Sequence, residues 1–278
     1  MIIDGAARGL VRESLFASGR LLGPRRAERL GRTIHRGLRL VGPNAITSNG
    51  ECLVMDAAAA IADEGSHFFD VGANVGDWAE LMIERIRPSM GQRLHCFEPS
   101  PTTFRSLQEN VRLNNHPFVS LVNLGLSDSA GAGELGIIHD GAGSNSIHRQ
   151  SNHTETIVLE RADDYCVQNR IEKVALIKLD IEGHEISALE GCSNLLKDHR
   201  VGLVQFEYTW RWIDARRYLR DAFELFGQSG YEIYRISRFG FHPVKQWQPG
   251  IEDFWEVNYL AVSPALGSRE KFQHFVRP

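Results

Sequence analysis

Five acids fall where five apolar runs end. Asp70 closes "HFFD", Glu98 closes "RLHCFE", Asp128 follows "FVSLVNLGLS", Asp180 closes "KVALIKLD" and Glu207 closes "RVGLVQFE". Short apolar runs bounded by polar turns read as buried strands. In an open parallel sheet, ligands gather outside the carboxyl ends of such strands. Carboxylates in that position accept hydrogen bonds from hydroxyls, attract cations and move protons.

The first run feeds the turn "VGANVGDW", with Gly72, Asn74 and Gly76 ahead of a helix that opens on Asp77. A dinucleotide fingerprint sets a helix N-terminus against a pyrophosphate. Asp77 would repel that phosphate and tolerate a ligand carrying sulfonium and ammonium groups. S-adenosylmethionine fits: Gly72 and Gly76 let the backbone approach the ligand, and the two oxygens of Glu98 can take both ribose hydroxyls. The position of Glu98, 22 residues past Gly76, also suits the ribose acid of a dehydrogenase, so the charge at Asp77 decides between them.

Transfer of a methyl group to an alcohol requires alignment and a proton acceptor, or a metal. "KLDIEGHE" supplies Asp180, Glu182, His184 and Glu185, and "FEY" supplies Glu207. His184 is a candidate base because imidazole titrates near neutrality. Asp180 and Glu207, on adjoining strand tips, could share a magnesium ion with waters. Acids in the first turn of a helix also serve its dipole without any catalytic role, and this accounts equally well for Glu182 and Glu185. Lys178, two residues before the Asp180 tip, is placed to pair with an acid inside the sheet. The polar stretch "HDGAGSNSIH" is a candidate acceptor lid or a plain hairpin tip. Trp210 and Trp212 offer ring faces to a sugar or, more ordinarily, to the core.

The elements that must position these groups alternate. "VGDWAELMIERI", "PTTFRSLQENVRLNN", "RADDYCVQNRI", "HEISALEGCSNLL" and "ARRYLRDAFELFGQSG" carry helical periodicity between the strands. "YEIYRIS" and "EVNYLAVS" close the chain as strands with no helix between them. That pattern predicts an α/β fold, a mostly parallel sheet with helices on both faces and an antiparallel last strand. A hairpin is expected between "AGELGII" and "TETIVLE". The 278 residues suit one large domain, 51–278, preceded by a basic helical extension, 1–50.

Net charge is −4, yet residues 1–40 hold nine arginines against Asp4, Glu13 and Glu28. Such an arm suits phosphates or an anionic membrane surface. An amphipathic helix packed on its own domain or on a second subunit is the plainer reading and the favoured one. No nucleic-acid motif and no transmembrane-length apolar segment accompanies it, and with no secretory signal pattern the expected location is the cytoplasm. The four cysteines, at 52, 96, 166 and 192, lack paired spacing and read as structural thiols.

"DVGANVG", "FEPSP", "NLGLSDSAG" and "IKLDIEGHEISALEG" together resemble, in order and spacing, FkbM-type S-adenosylmethionine-dependent methyltransferases over residues 50–262. The resemblance implies a Rossmann-like class I methyltransferase fold with a seven-stranded sheet. It implies that Asp70, Gly72, Asn74 and Gly76 line the methionine side of the cofactor, Glu98 the ribose, and Ser127 and Asp128 the adenine. It further implies O-methylation of a small molecule, with a saccharide or glycosylated metabolite as acceptor. Methylation of nitrogen, and a non-catalytic adenosyl-binding module docked to a partner or membrane, remain the competing readings. A nucleotide-dependent oxidoreductase is disfavoured by Asp77.

Overall fold

The computed structural model describes residues 13–14, 17, 19–38, 45–110, 115–137, 145–148, 151–267 and 270–277. The chain divides into two units, Met1–Asn44 and Ala45–Pro278. In the first, helix α1 (Pro24–Leu38) opens on a proline, which suits the first helical turn because its missing N–H is not needed there.

In the second unit, eight strands form one sheet: β1 (His67–Val71), β2 (Arg93–Phe97), β3 (Val119–Val122), β7 (Val174–Leu179), β8 (Val201–Tyr208), β9 (Glu232–Ser237), β10 (Gly240–Pro243) and β11 (Val257–Val262). Their order is β10-β9-β11-β8-β7-β1-β2-β3. β1 pairs in parallel with both β2 and β7, and β11 runs antiparallel between β8 and β9. The chain therefore winds outward from β1 through β2 and β3, then returns to the other side of β1 at β7. That reversal opens a crevice outside the ends of β1 and β7, the position at which such sheets bind ligands.

The central strands are apolar because helices cover both faces. Phe68 and Phe69 of β1 are fully buried on opposite sides, as are Leu176 and Ile177 of β7. Phe69, Phe97 and Tyr165 pack edge to face. The other face is covered in part by α3 (Glu51–Ile61), which buries Val54, Met55, Ala57, Ala58 and Ile61. Burial of a large apolar side chain contributes roughly 1.5–3 kcal/mol each, so these two layers hold the sheet against the entropy of ordering it.

Four differences from the sequence expectations have physical causes. The sheet has eight strands, because "GFHP" adds the short edge strand β10, where Phe241 stacks on Phe272. The run "FVSLVNLGL" is two strands: after β3, Asn123 turns to donate its side-chain amide to the Glu98 carbonyl at 2.8 Å. β4 (Gly125–Leu126) then joins β5 (Gly131–Gly136) and β6 (Thr154–Glu160), the expected hairpin, in a second sheet of order β4-β6-β5. "HEISALEGCSNLL" breaks into two helices, α7 (Glu185–Glu190) and α8 (Ser193–Lys197), around Gly191. A Cβ at Gly191 would lie 2.0 Å from the Ser127 carbonyl, so the glycine lets this corner pack on the strand that carries Ser127. Helix α3 itself is so uniformly apolar along "LVMDAAAAI" that no strong stripe marks it.

Candidate functional site

A solvent-open cleft of about 630 Å³ lies outside the ends of β1, β2, β4 and β7. Five of the ten residues singled out from sequence line it: Gly72, Asn74, Glu98, Asp180 and His184. Its walls also hold Phe97, Leu126, Leu135 and Ile147, an apolar slot, together with Glu182 and Asn145. Among the described lining residues there is no lysine or arginine, whereas there are three carboxylates.

Gly72 has φ +79°, and a Cβ there would sit 2.1 Å from the Asp180 carbonyl. The glycine is thus required by the closeness of the β1 and β7 tips, and its backbone also lines the cleft. Asn74 is also left-handed, φ +51°, which asparagine tolerates better than most residues. This turn points the Asn74 N–H at Glu98 Oε2, 3.0 Å away, while the Ser100 N–H reaches Oε1 at 2.9 Å. Each carboxylate oxygen keeps a second acceptor direction. Burial pushes Glu98 up to about 7, against the pull of those two N–H donors. Asn74 Oδ1 is buried without a hydrogen-bond partner.

Asp70 and Gly76 do not reach the cleft surface. Asp70 is fully buried on β1, with its Oδ1 3.1 Å from Lys178 Nζ, which also lies 3.6 Å from Asp180 Oδ2. Burial opposes the Lys178 charge, but Asp70, Asp180 and Glu51 outweigh it and hold the ammonium above the usual lysine range. Gly76 caps α4 (Asp77–Ile83) with φ +99°. The sequence-expected pairing of Lys178 with an acid is therefore a buried bridge beneath the cleft floor, and it ties the β1 and β7 tips together.

At the far side, His184 is enclosed. Its Nε2 lies 3.0 Å from Ser127 Oγ and its Nδ1 2.9 Å from His148 Nε2. Burial, then the neighbouring His148, brings its pKa down to about 4. Both ring nitrogens of His184 are thus engaged, and Ser127, outside the cleft lining, is held by this ring. Asp128 is exposed and outside the cleft lining; its carboxylate accepts from the hydroxyls of Ser127 and Ser129. Of the candidate lid, residues 139–144 lie outside the described residues. Its end is held down by Ser146, whose hydroxyl donates to the Glu182 carbonyl at 2.7 Å, and by the His148–His184 contact.

Residues 182–211 build a second, acidic end. Glu182, φ +55°, lies 2.9 Å from Arg211 Nε, and burial raises it to about 7 despite that cation. Glu207 is buried and does not line the cleft. Burial, then Asp180, Glu256, Glu185 and Glu182, pushes it well above the usual range. The guanidinium of Arg211 stacks 4.1 Å from the ring centre of Trp210, a half-exposed side chain, and its Nη1 is buried without a hydrogen-bond partner. Trp212 is only 1% exposed and donates to the Glu207 carbonyl, which makes it core and removes it from the candidate sugar platforms. Arg211 and His148 are the participants that motif spacing does not reveal, because each is defined by a partner distant in sequence.

The two acids expected to share a magnesium ion sit in different surroundings. Asp180 already faces the Lys178 ammonium, Glu207 is buried among acids, and no group of three or more His, Cys, Asp or Glu is arranged for a metal among the described residues. The four cysteines are free, three of them buried.

Residues 70–239 match the model of the Methyltransferase FkbM domain. The chain is 27% identical over 178 residues to hexuronic acid methyltransferase AglP of Haloferax volcanii, covering 64% of this chain and 69% of that one. It is 26% identical to the 2-O-methyltransferase NoeI of Sinorhizobium fredii, over 50% of this chain and 62% of that one. A crystal structure of methyltransferase FkbM from Methylobacillus flagellatus KT aligns with TM-score 0.45 at 18% identity, over 72% of this chain and 44% of that one.

Proposed function

The chain belongs to the FkbM methyltransferase family, and from that premise we propose that it transfers a methyl group from S-adenosylmethionine to a hydroxyl of a saccharide or glycosylated small molecule. One observation carries the choice of donor: a cleft lined by Glu98, Asp180 and Glu182 and, among the described residues, by no lysine or arginine. A pyrophosphate there would find no countercharge, whereas a cationic, phosphate-free ligand meets carboxylates on two sides. The unpartnered Asn74 Oδ1 offers an acceptor to an ammonium group, the free directions of Glu98 suit ribose hydroxyls, and the Phe97–Leu126–Leu135 slot suits an adenine ring.

When bound, the cofactor supplies an electrophilic methyl group on sulfur. The protein aligns the acceptor and takes its proton. Glu182 suits the second task, because a carboxyl held near 7 accepts a proton at neutral pH and its environment still tolerates the charge. Asp180, half-exposed and steadied by Lys178, can accept a hydrogen bond from the acceptor hydroxyl. Arg211 Nη1 is a donor for another acceptor oxygen, hydroxyl or carboxylate, and Trp210 gives an apolar face to a sugar ring. The names of two relatives, one a hexuronic acid methyltransferase and one a 2-O-methyltransferase, support a saccharide acceptor.

Calorimetry with S-adenosylmethionine and with NAD, followed by label transfer to neutral sugars, amino sugars and uronates, tests the proposal. Binding of the first ligand alone, with label on a saccharide oxygen, is expected. NAD binding without a response to S-adenosylmethionine overturns it, as does label found only on nitrogen.

A further inference from the structure

Helix α1 carries two chemistries on two faces. With about 3.6 residues per turn, Arg25, Arg29 and Arg32 fall on one side. Ala27, Leu30 and Ile34 fall on the other. Leu30 and Ile34 are each 48% exposed, and Leu21 and Leu22, just before the helix, are exposed as well. Arg25, Arg26, Arg29 and Arg32 are exposed, and Glu28 is held by Arg32 at 3.2 Å, leaving the polar face strongly basic.

We propose that α1 lies flat on an anionic phospholipid surface, its leucines and isoleucine among the acyl chains and its arginines on the headgroups. The arrangement has the composition of an interfacial helix: a distinct apolar face, an arginine-rich polar face and little overall hydrophobicity. No helix among the described residues is long and apolar enough to cross a membrane, so the contact is peripheral. Charge selects the occupant. The first forty residues hold six positive charges in excess while the whole chain carries −4. Pairing of two copies through the apolar face would cover Leu30 and Ile34 and leave the arginines without a counter-charge, whereas an anionic bilayer supplies the opposite charge and an apolar interior together. A nucleic acid would answer the arginines and leave Leu30 and Ile34 in water. The inference is independent of the proposed methyl donor and acceptor.

The test is flotation of the full chain with vesicles of phosphatidylcholine alone and of phosphatidylcholine with phosphatidylglycerol, at low and high salt. Binding is expected only to the anionic vesicles and should weaken with salt. Arg25→Gln/Arg29→Gln/Arg32→Gln should lower partitioning roughly a hundredfold, at on the order of fivefold per arginine. Leu30→Gln/Ile34→Gln should lower it about tenfold or more. Thermal melting of both variants serves as the control for folding. Three outcomes overturn the proposal: no flotation with anionic vesicles, flotation indifferent to Leu30→Gln/Ile34→Gln, or light scattering that shows a dimer dissociated by those same two substitutions.

Discussion

Glu98 holds its carboxylate where the isolated domain would be more stable without the charge. Its pKa rises from the usual 4.5 to about 7 because it is buried. A native-state pKa above the unfolded value means that the folded chain binds the proton more tightly. The stability this provides is complete below pH 4.5 and is lost as pH rises through 7. At about 1.4 kcal/mol per pH unit, the loss is roughly 3 kcal/mol by pH 8. Glu98→Gln removes the charge and leaves one oxygen for two backbone N–H donors, which costs about 1 kcal/mol. The variant without ligand should therefore be about 2 kcal/mol more stable than the parent at pH 8 and about 1 kcal/mol less stable at pH 4.5. Denaturant unfolding of both proteins at several pH values measures that difference. Glu182 and Glu185 titrate in the same window, at about 7 and about 8, and they cancel because both proteins contain them. Binding should run the other way. If the ionised carboxylate holds the ribose, the parent's Kd for S-adenosylmethionine should weaken about tenfold from pH 8 to pH 6, and the variant's should be weak and flat. A variant no more stable than the parent at pH 8, or a parent Kd that does not change with pH, refutes the reasoning.

Other substitutions probe the remaining parts. Lys178→Met strands Asp70 as a buried carboxylate and should cost about 3–5 kcal/mol, read by denaturant unfolding; adding Asp70→Asn should recover much of it. Gly72→Ala places a Cβ 2.1 Å from the Asp180 carbonyl at φ +79°, so a melt should show a loss above about 1 kcal/mol, together with weaker cofactor binding. Trp210→Ala should raise the acceptor KM roughly two- to tenfold with little change in kcat, while Trp210→Phe retains the KM. Turnover should be unchanged by a chelator and by added magnesium, since Asp180 already faces the Lys178 ammonium; loss of activity with chelator, restored by magnesium, would give Asp180 and Glu207 the role of metal ligands.

The parts of the fold written in local sequence were the readable ones. Alternating apolar runs gave the parallel sheet and its antiparallel closing strand, and two of the five acids at the strand ends, Glu98 and Asp180, line the cleft. What escaped depended on neighbours. β10 exists because Phe241 meets Phe272, some thirty residues away. Helix α3 is apolar on too many sides for a stripe to show. The turn "VGANVGDW" read as a place where backbone meets ligand. The contact that demands Gly72 is instead with Asp180 on the next strand, over a hundred residues further on.

The same distinction separates the two ends of the site. The donor end is built from contiguous turns: Asn74 and Ser100 point their N–H groups at Glu98 from within one strand-helix-strand unit, so a short motif specifies its geometry. The acceptor end is assembled across the chain: Glu182 after β7 against Arg211 after β8, with Trp210 stacked outside and Ser146 of the hairpin clasping the Glu182 carbonyl. Each of those side chains is set by a contact with a different segment, so the stretches that hold them can be singled out from sequence while their meeting cannot. A substitution at Trp210 or in the hairpin can therefore change the acceptor without disturbing Glu98.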